Sequence, residues 1–194
     1  MSTTALKKTK LAMVDLDNTL VFTMRANYEA YKRALGEHGF DFTFEQYASD
    51  CDGKSYRSFL PGLVGGSAEL TEAVHDRKIE LYPECLTLAE LNVPLADILR
   101  ALRNEYYIAL VTTATRRNVE RILEHFELTE LFDAVVTNED VLRSKPDPYC
   151  YNMVIERFGV DRRNCIIFED SPTGIAAACA SGCQTFCVKG GDRL

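Results

Sequence analysis

From Val93 onward, short apolar runs alternate with helix-like stretches, and that alternation restricts the fold more than any other feature of the sequence. Pro94 opens a helical pattern that reaches about Asn104. Ile108 to Val111 then reads as a strand, Arg117 to Phe126 as a helix, and Ala134 to Val136 as a strand. Asp147 to Phe158 is helical, with Pro146 and Pro148 at its start, and Cys165 to Phe168 is again a strand. An alanine-rich helix, Thr173 to Ser181, is stopped by Gly182, and Gln184 to Val188 is a last strand. Near the N-terminus, Lys10 to Leu16 supplies one further apolar strand, after a frayed start over residues 1–10. Strands separated by helices are strands joined by crossovers, so the expected fold is α/β, a doubly wound parallel sheet.

The stretch between the first strand and this alternating half reads differently. Tyr28, Tyr31 and Leu35 recur at helical spacing in Met24 to His38, and Gly36 and Gly39 end the run. Residues 44–51 and 55–64 suit two short helices parted by Asp52 and Gly53. Ser67 is placed to cap a longer helix through about Leu81, with Leu70, Val74 and Leu81 on one side, and Pro83 either ends it or starts another turn. No strand pattern occurs between residues 24 and 92. The expected organisation is therefore a core of residues 1–21 and 93–194, interrupted by an all-helical insertion at 22–92.

Composition narrows the class of partner. The 22 Lys and Arg residues are outnumbered by 29 Asp and Glu, for a net charge of -7, and no basic block stands out, so a nucleic-acid phosphate backbone is an unsuitable partner. The apolar runs are too short to span a bilayer, and the lysines before Lys10 lack the apolar segment of a secretory signal. Seven cysteines form an odd set with no Cys-x-x-Cys pair, which favours a reducing, cytoplasmic setting over a disulfide framework or a zinc site. The histidines, His38, His75 and His125, lie in separate helical stretches and suit ordinary surface or half-buried positions.

The chemistry concentrates at strand ends. Asp15 and Asp17 follow the first apolar run two residues apart, a spacing that puts side chains on one face of a strand. Thr112 follows Val111, and Glu169 and Asp170 follow Phe168. A loop after the third strand of the core holds Lys145 and Pro146. Ligands of open α/β sheets bind outside the carboxyl ends of the strands, where all of these residues converge. Each piece read singly also fits a polar turn, a helix cap or a solvated loop lysine. Together their chemistry is complementary: carboxylates suit a hard cation and can act as nucleophiles, while a lysine and a hydroxyl can hold phosphoryl oxygens.

These residues carry a resemblance to the haloacid dehalogenase-like superfamily, in its branch with a helical cap inserted after the first strand. Asp15-Leu16-Asp17-Asn18-Thr19 matches the first motif, Thr112 the second, Lys145-Pro146 the third and Glu169-Asp170-Ser171-Pro172-Thr173-Gly174 the fourth. The resemblance implies a magnesium-dependent phosphatase of small phosphorylated metabolites. It implies that Asp15 is the nucleophile, that Asp17 is the general acid and base, and that Thr112 and Lys145 hold the phosphoryl group with help from the backbone amides after Asp15 and Thr112. Magnesium would be held by Asp15, the backbone carbonyl of Asp17, Asp170 and Glu169, the last directly or through water. The cap would close over the site and choose the substrate, with Arg25, Asn27, Lys54, Arg57, Lys78 and Thr113 as candidate substrate contacts.

Two other chemistries occur in the same superfamily. Its dehalogenases work on carbon without magnesium and typically lack the second Asp of the first motif, present here as Asp17. Its sugar phosphomutases typically carry a His in the first cap helix, where this chain has Asn27, yet Lys78 falls where they keep a cap lysine. A non-catalytic module that retained the fold is a further alternative, against which the full motif set stands. Where many relatives leave the cap through a Tyr-Pro-Gly turn, this chain has Leu91-Asn92-Val93-Pro94-Leu95, so a stiffer or differently shaped hinge is expected. A final helix common among relatives is expected to be short or missing before Leu194.

Overall fold

A computed structural model describes residues 7–189. The expected frayed start falls outside the described residues as far as residue 6, and the expected loss of a final helix lies outside them altogether.

Five parallel strands form the main sheet: β1 (Lys10–Val14), β4 (Tyr106–Val111), β5 (Ala134–Val136), β6 (Cys165–Glu169) and β7 (Gln184–Cys187), in the order β5-β4-β1-β6-β7. Leu11 pairs with Tyr107 on one side and with Cys165 on the other, which puts β1 at the centre. Helices α5 (Val93–Leu102), α6 (Arg116–His125), α7 (Tyr149–Phe158) and α8 (Pro172–Ala180) alternate with these strands, as the sequence pattern predicts. All residues from Leu11 to Val14 are fully buried, which is what a central strand covered on both faces requires. On one face Leu11 and Met13 pack with Ala109, Val111, Tyr151, Val154, Ile155 and Ala177. Burial of each such large side chain contributes about 1.5–3 kcal/mol, so the strand that carries the candidate chemistry is also among the most firmly held parts of the core.

The chain divides into two compact units. One contains residues up to Val21 and from Leu91 onward; the other is Phe22–Glu90. The second unit is mainly helical, with α1 (Met24–Gly36), the short α2 (Phe44–Gln46), α3 (Tyr56–Leu63) and α4 (Ala68–Cys85). Its interior is aromatic: the Tyr28 ring meets Phe44 edge-on at 5.3 Å, Tyr31 meets Phe59 at 5.3 Å, and His75 stacks on Tyr56 at 3.5 Å. Burial pushes the His75 imidazole down to about 4, so the ring is neutral at neutral pH and can share a proton with the Tyr31 hydroxyl 3.3 Å away.

Several local expectations need correction. β1 ends at Val14, not Leu16, because the chain turns there: the Leu16 carbonyl accepts from the backbone N–H groups of Leu20 (3.0 Å) and Val21 (2.9 Å). Asn18 takes the left-handed conformation (φ 59), which asparagine tolerates better than most residues. Asp17 therefore lies in a turn, and the shared-face rule for strands does not apply to it. Residues 47–51 form a π-helical turn after α2, which replaces a single helix over 44–51. Of the two expectations for Pro83 the second holds: α4 runs through it for a last turn to Cys85, with buried Tyr82 and Cys85 on either side. Finally, the stretch from 24 to 92 is not free of strand: β3 (Glu90–Leu91) pairs with β2 (Val21–Phe22) in a separate two-stranded sheet. Two residues are too few to display the alternation by which strands are read.

Candidate active site

Three strands of the core unit end beside one another and deliver the polar groups. The Asp15 N–H continues the ladder by donating to the Phe168 carbonyl (3.0 Å), and the Thr112 N–H donates to Val136 (2.9 Å). The backbone on which each side chain sits is thus set by sheet register, not by loop conformation. Asp15 (8% exposed), Thr112 (5%) and Glu169 (0%) are all buried. The Thr112 hydroxyl accepts from the Ala114 N–H (3.0 Å), which shapes the loop that starts with Thr113, itself exposed.

Lys145 is the hub. Its ammonium donates to Asp15 Oδ1 (2.7 Å), to Glu169 Oε1 (2.5 Å) and to the Val111 carbonyl (3.0 Å), which uses all three of its protons. Burial works against this cation, but Asp15, Tyr151 and Glu169 around it hold its pKa well above the ordinary lysine range. Burial pushes Asp15 up to about 8 even though Lys145 opposes the shift. Asp15 is therefore a carboxylate in a place that resists negative charge.

Asp15, Glu169 and Asp170 bring ligand oxygens within 4.8 Å of one another. Lys145 meets two of these three carboxylates, and oxygen donors of this kind fit a hard divalent cation. The Asp17 carboxylate is not one of this group. Asp170 is aimed by Thr19, whose hydroxyl donates to Asp170 Oδ1 (2.7 Å), and Thr19 is fully buried. Asn92 in turn donates its amide to the Thr19 carbonyl (2.9 Å), while its backbone N–H donates to Leu20 (2.9 Å) and its side chain caps α5 at Leu95. The segment that lacks a Tyr-Pro-Gly turn thus pins the turn after Asp17.

Glu169 is the most fully satisfied group of the site. Oε1 accepts from Lys145 and from the Tyr151 hydroxyl (3.0 Å), and Oε2 accepts from the N–H groups of Asp170 (3.0 Å) and Ser171 (3.2 Å) and from the Ser171 hydroxyl (3.2 Å). Gly174 makes the space for it: a Cβ there would stand 1.9 Å from Glu169 Oε1. A carboxylate held by five donors cannot step aside cheaply. Gly174→Ala is therefore expected to destabilise the protein by about 1–3 kcal/mol, as overpacking does, and to lower turnover. Thermal melting and kinetics check this; a variant with wild-type values of both would show that the seat is loose.

The remaining sequence candidates belong to the helical unit, Thr113 apart. Asn27 and Lys78 are brought together: the Lys78 ammonium, buried at 5% exposure, donates to Asn27 Oδ1 (2.7 Å) and lies over the rings of Tyr82 (4.3 Å) and Tyr31 (5.1 Å). Arg25 is exposed and lies over the Phe44 ring, Lys54 is exposed in the turn after Cys51, and Arg57 is exposed beside Glu72 (3.7 Å). Sequence reading missed Thr19, Asn92, Tyr151 and Gly174 as parts of the site. Thr19 and Gly174 lie inside motifs already singled out, so a signal was present; Tyr151 and Asn92 carry none of their own.

The chain is similar to known hydrolases over most of its length. The profile of the haloacid dehalogenase-like hydrolases matches residues 12–188. Fructose-1-phosphate phosphatase YqaB of Escherichia coli is 27% identical over 176 residues, covering 90% of this chain and 94% of the relative. Validoxylamine A 7'-phosphate phosphatase of Streptomyces hygroscopicus is 31% identical, covering 92% of this chain and 84% of the relative. Among solved structures, a beta-phosphoglucomutase candidate from Thermotoga maritima superposes with a TM-score of 0.78 at 27% identity, covering 95% of this chain and 87% of its own.

Proposed function

Because the chain belongs to the haloacid dehalogenase-like hydrolases, as a phosphoric monoester hydrolase of that family, we propose that it cleaves a small phosphorylated metabolite through a phosphoryl ester on Asp15, with magnesium at the site. The observation that carries this reading is the Lys145 ammonium set between Asp15 and Glu169, with the Thr112 loop beside it on the next strand.

Asp15 attacks phosphorus and the ester oxygen leaves, taking a proton from Asp17. A water then attacks the phosphorus of the acyl phosphate and gives its proton to Asp17, which frees inorganic phosphate and restores Asp15. Lys145 and the Thr112 hydroxyl hold the phosphoryl oxygens as charge develops on them, and the backbone amides after Asp15 and Thr112 add further donors. Asp15, the Asp17 carbonyl and Asp170 are the residues that would hold magnesium, with Glu169 beside them. When bound, the cation offsets phosphoryl charge and favours the ionised form of Asp15 that burial disfavours. Substrate choice falls to the helical unit, where Lys78 and Asn27 supply a buried cation and an amide, and Arg25, Lys54, Arg57 and the loop residue Thr113 are further candidate contacts. A non-catalytic role is disfavoured because every motif residue is present.

A second reading, a sugar phosphomutase, draws on the buried Lys78 and on the Thermotoga maritima neighbour. A mutase must keep its acyl phosphate from water until the sugar has turned. A titrating His in the first cap helix can couple that protection to closure, whereas Asn27 cannot carry a proton. Hydrolysis is therefore expected to dominate. Incubation with hexose phosphates and magnesium should release inorganic phosphate in step with substrate consumed. Efficient conversion of β-glucose 1-phosphate to glucose 6-phosphate, with a trace of bisphosphate and little free phosphate, would overturn the hydrolase assignment.

A further inference from the structure

We infer that Tyr151 is a positioning residue of this site, acting through Glu169 on Lys145. It rests on the phosphatase reading above. Tyr151 lies on α7, six residues beyond Lys145, and is fully buried. Its hydroxyl donates to Glu169 Oε1 at 3.0 Å, the oxygen that also accepts from Lys145, and the Lys145 ammonium lies 5.3 Å from the Tyr151 ring. Tyrosine is an unusual choice for a core position packed against Met13 and Val154, because a buried hydroxyl needs a partner. Phenylalanine would fill the same volume without that requirement.

The hydroxyl changes how Lys145 is shared. Lys145 has three protons and three acceptors, two of them carboxylates. Without the Tyr151 hydroxyl, Glu169 Oε1 would depend on Lys145 alone and draw the ammonium toward itself, away from Asp15. With it, part of the charge on that oxygen is met by a neutral donor that does no chemistry. Lys145 then stays extended toward Asp15, where the phosphoryl group arrives. The other oxygen of Glu169 is held by three donors of Asp170 and Ser171, just before α8, so the carboxylate cannot rotate to compensate. The effect on Asp15 therefore has to travel through Lys145.

The test is a double-mutant cycle on p-nitrophenyl phosphate at saturating magnesium. Y151F is expected to lower kcat about tenfold, the scale of one hydrogen bond to a charged group, with KM changed less than twofold. In an E169Q background the same substitution is expected to change kcat less than twofold, since the route through the carboxylate is already altered. A purely structural tyrosine would give equal losses in both backgrounds, and that result overturns the inference, as does wild-type kcat in Y151F. If Y151F does not fold, 3-fluorotyrosine at position 151 keeps the volume and strengthens the donor: a changed kcat at constant KM supports the role, and an unchanged kcat overturns it. Wild-type protein without turnover on any phosphoryl ester would remove the phosphatase reading and this role with it.

Discussion

Asp15→Asn is expected to take phosphatase turnover to background, a loss of about 10⁴-fold or more, the scale seen when a covalent nucleophile is deleted. The amide keeps the shape of the carboxylate but offers no anionic oxygen to phosphorus. It also gives Lys145 a weaker acceptor at the position where Asp15 Oδ1 now stands 2.7 Å away. The fold should survive, because the Asp15 backbone is held by the Phe168 carbonyl and by its place after the buried run Leu11 to Val14. The measurement is steady-state phosphate release beside a thermal melt. Near-normal turnover in a folded Asp15→Asn protein would remove the proposed mechanism, since among the described residues no other carboxylate is both bonded to Lys145 and placed at the end of the central strand.

Removal of divalent metal is expected to silence the wild type, and added magnesium to restore it. The clustering of charge supplies the reason: ligand oxygens of Asp15, Glu169 and Asp170 lie within 4.8 Å of one another, and Lys145 meets Asp15 and Glu169. Asp170→Asn should raise the magnesium requirement steeply. Loss of an outer-shell partner typically weakens metal binding about 10- to 100-fold, and loss of a ligand carboxylate should exceed that. The Thr19 hydroxyl, which donates to Asp170 Oδ1, can still meet the amide oxygen of the variant, so the change is one of charge more than of shape. Activity indifferent to EDTA would show that the acidic cluster serves something other than a cation, and would favour the metal-free carbon chemistry of the dehalogenase branch.

No helix among the described residues is long and apolar enough to cross a membrane, as the short apolar runs lead one to expect. Much else in the fold was legible in advance for a similar reason: a central strand buried on both faces leaves an apolar run, and a crossover helix leaves a 3.6-residue period. Those local patterns predict the five strands of the main sheet to within two residues, and with them the sheet edge to which Asp15, Thr112 and Glu169 come. They misplace what depends on a few backbone bonds, such as the turn at Leu16 that takes Asp17 out of the strand and the two-residue pairing of β2 with β3.

By itself, then, the sequence determined the strand–helix alternation, the residue types at the strand ends and the motif resemblance, because each is written in neighbouring residues. Tertiary structure alone decided how those residues are held. Lys145 reaches Asp15 across 130 positions, Thr19 reaches Asp170 across 151, and Lys78 reaches Asn27 across 51. Hydrogen bonds of that span leave no periodic trace along the chain. The five donors on Glu169 are assembled from a loop lysine, a tyrosine of α7 and the start of α8, and only the packing of those elements on β6 brings them to one carboxylate.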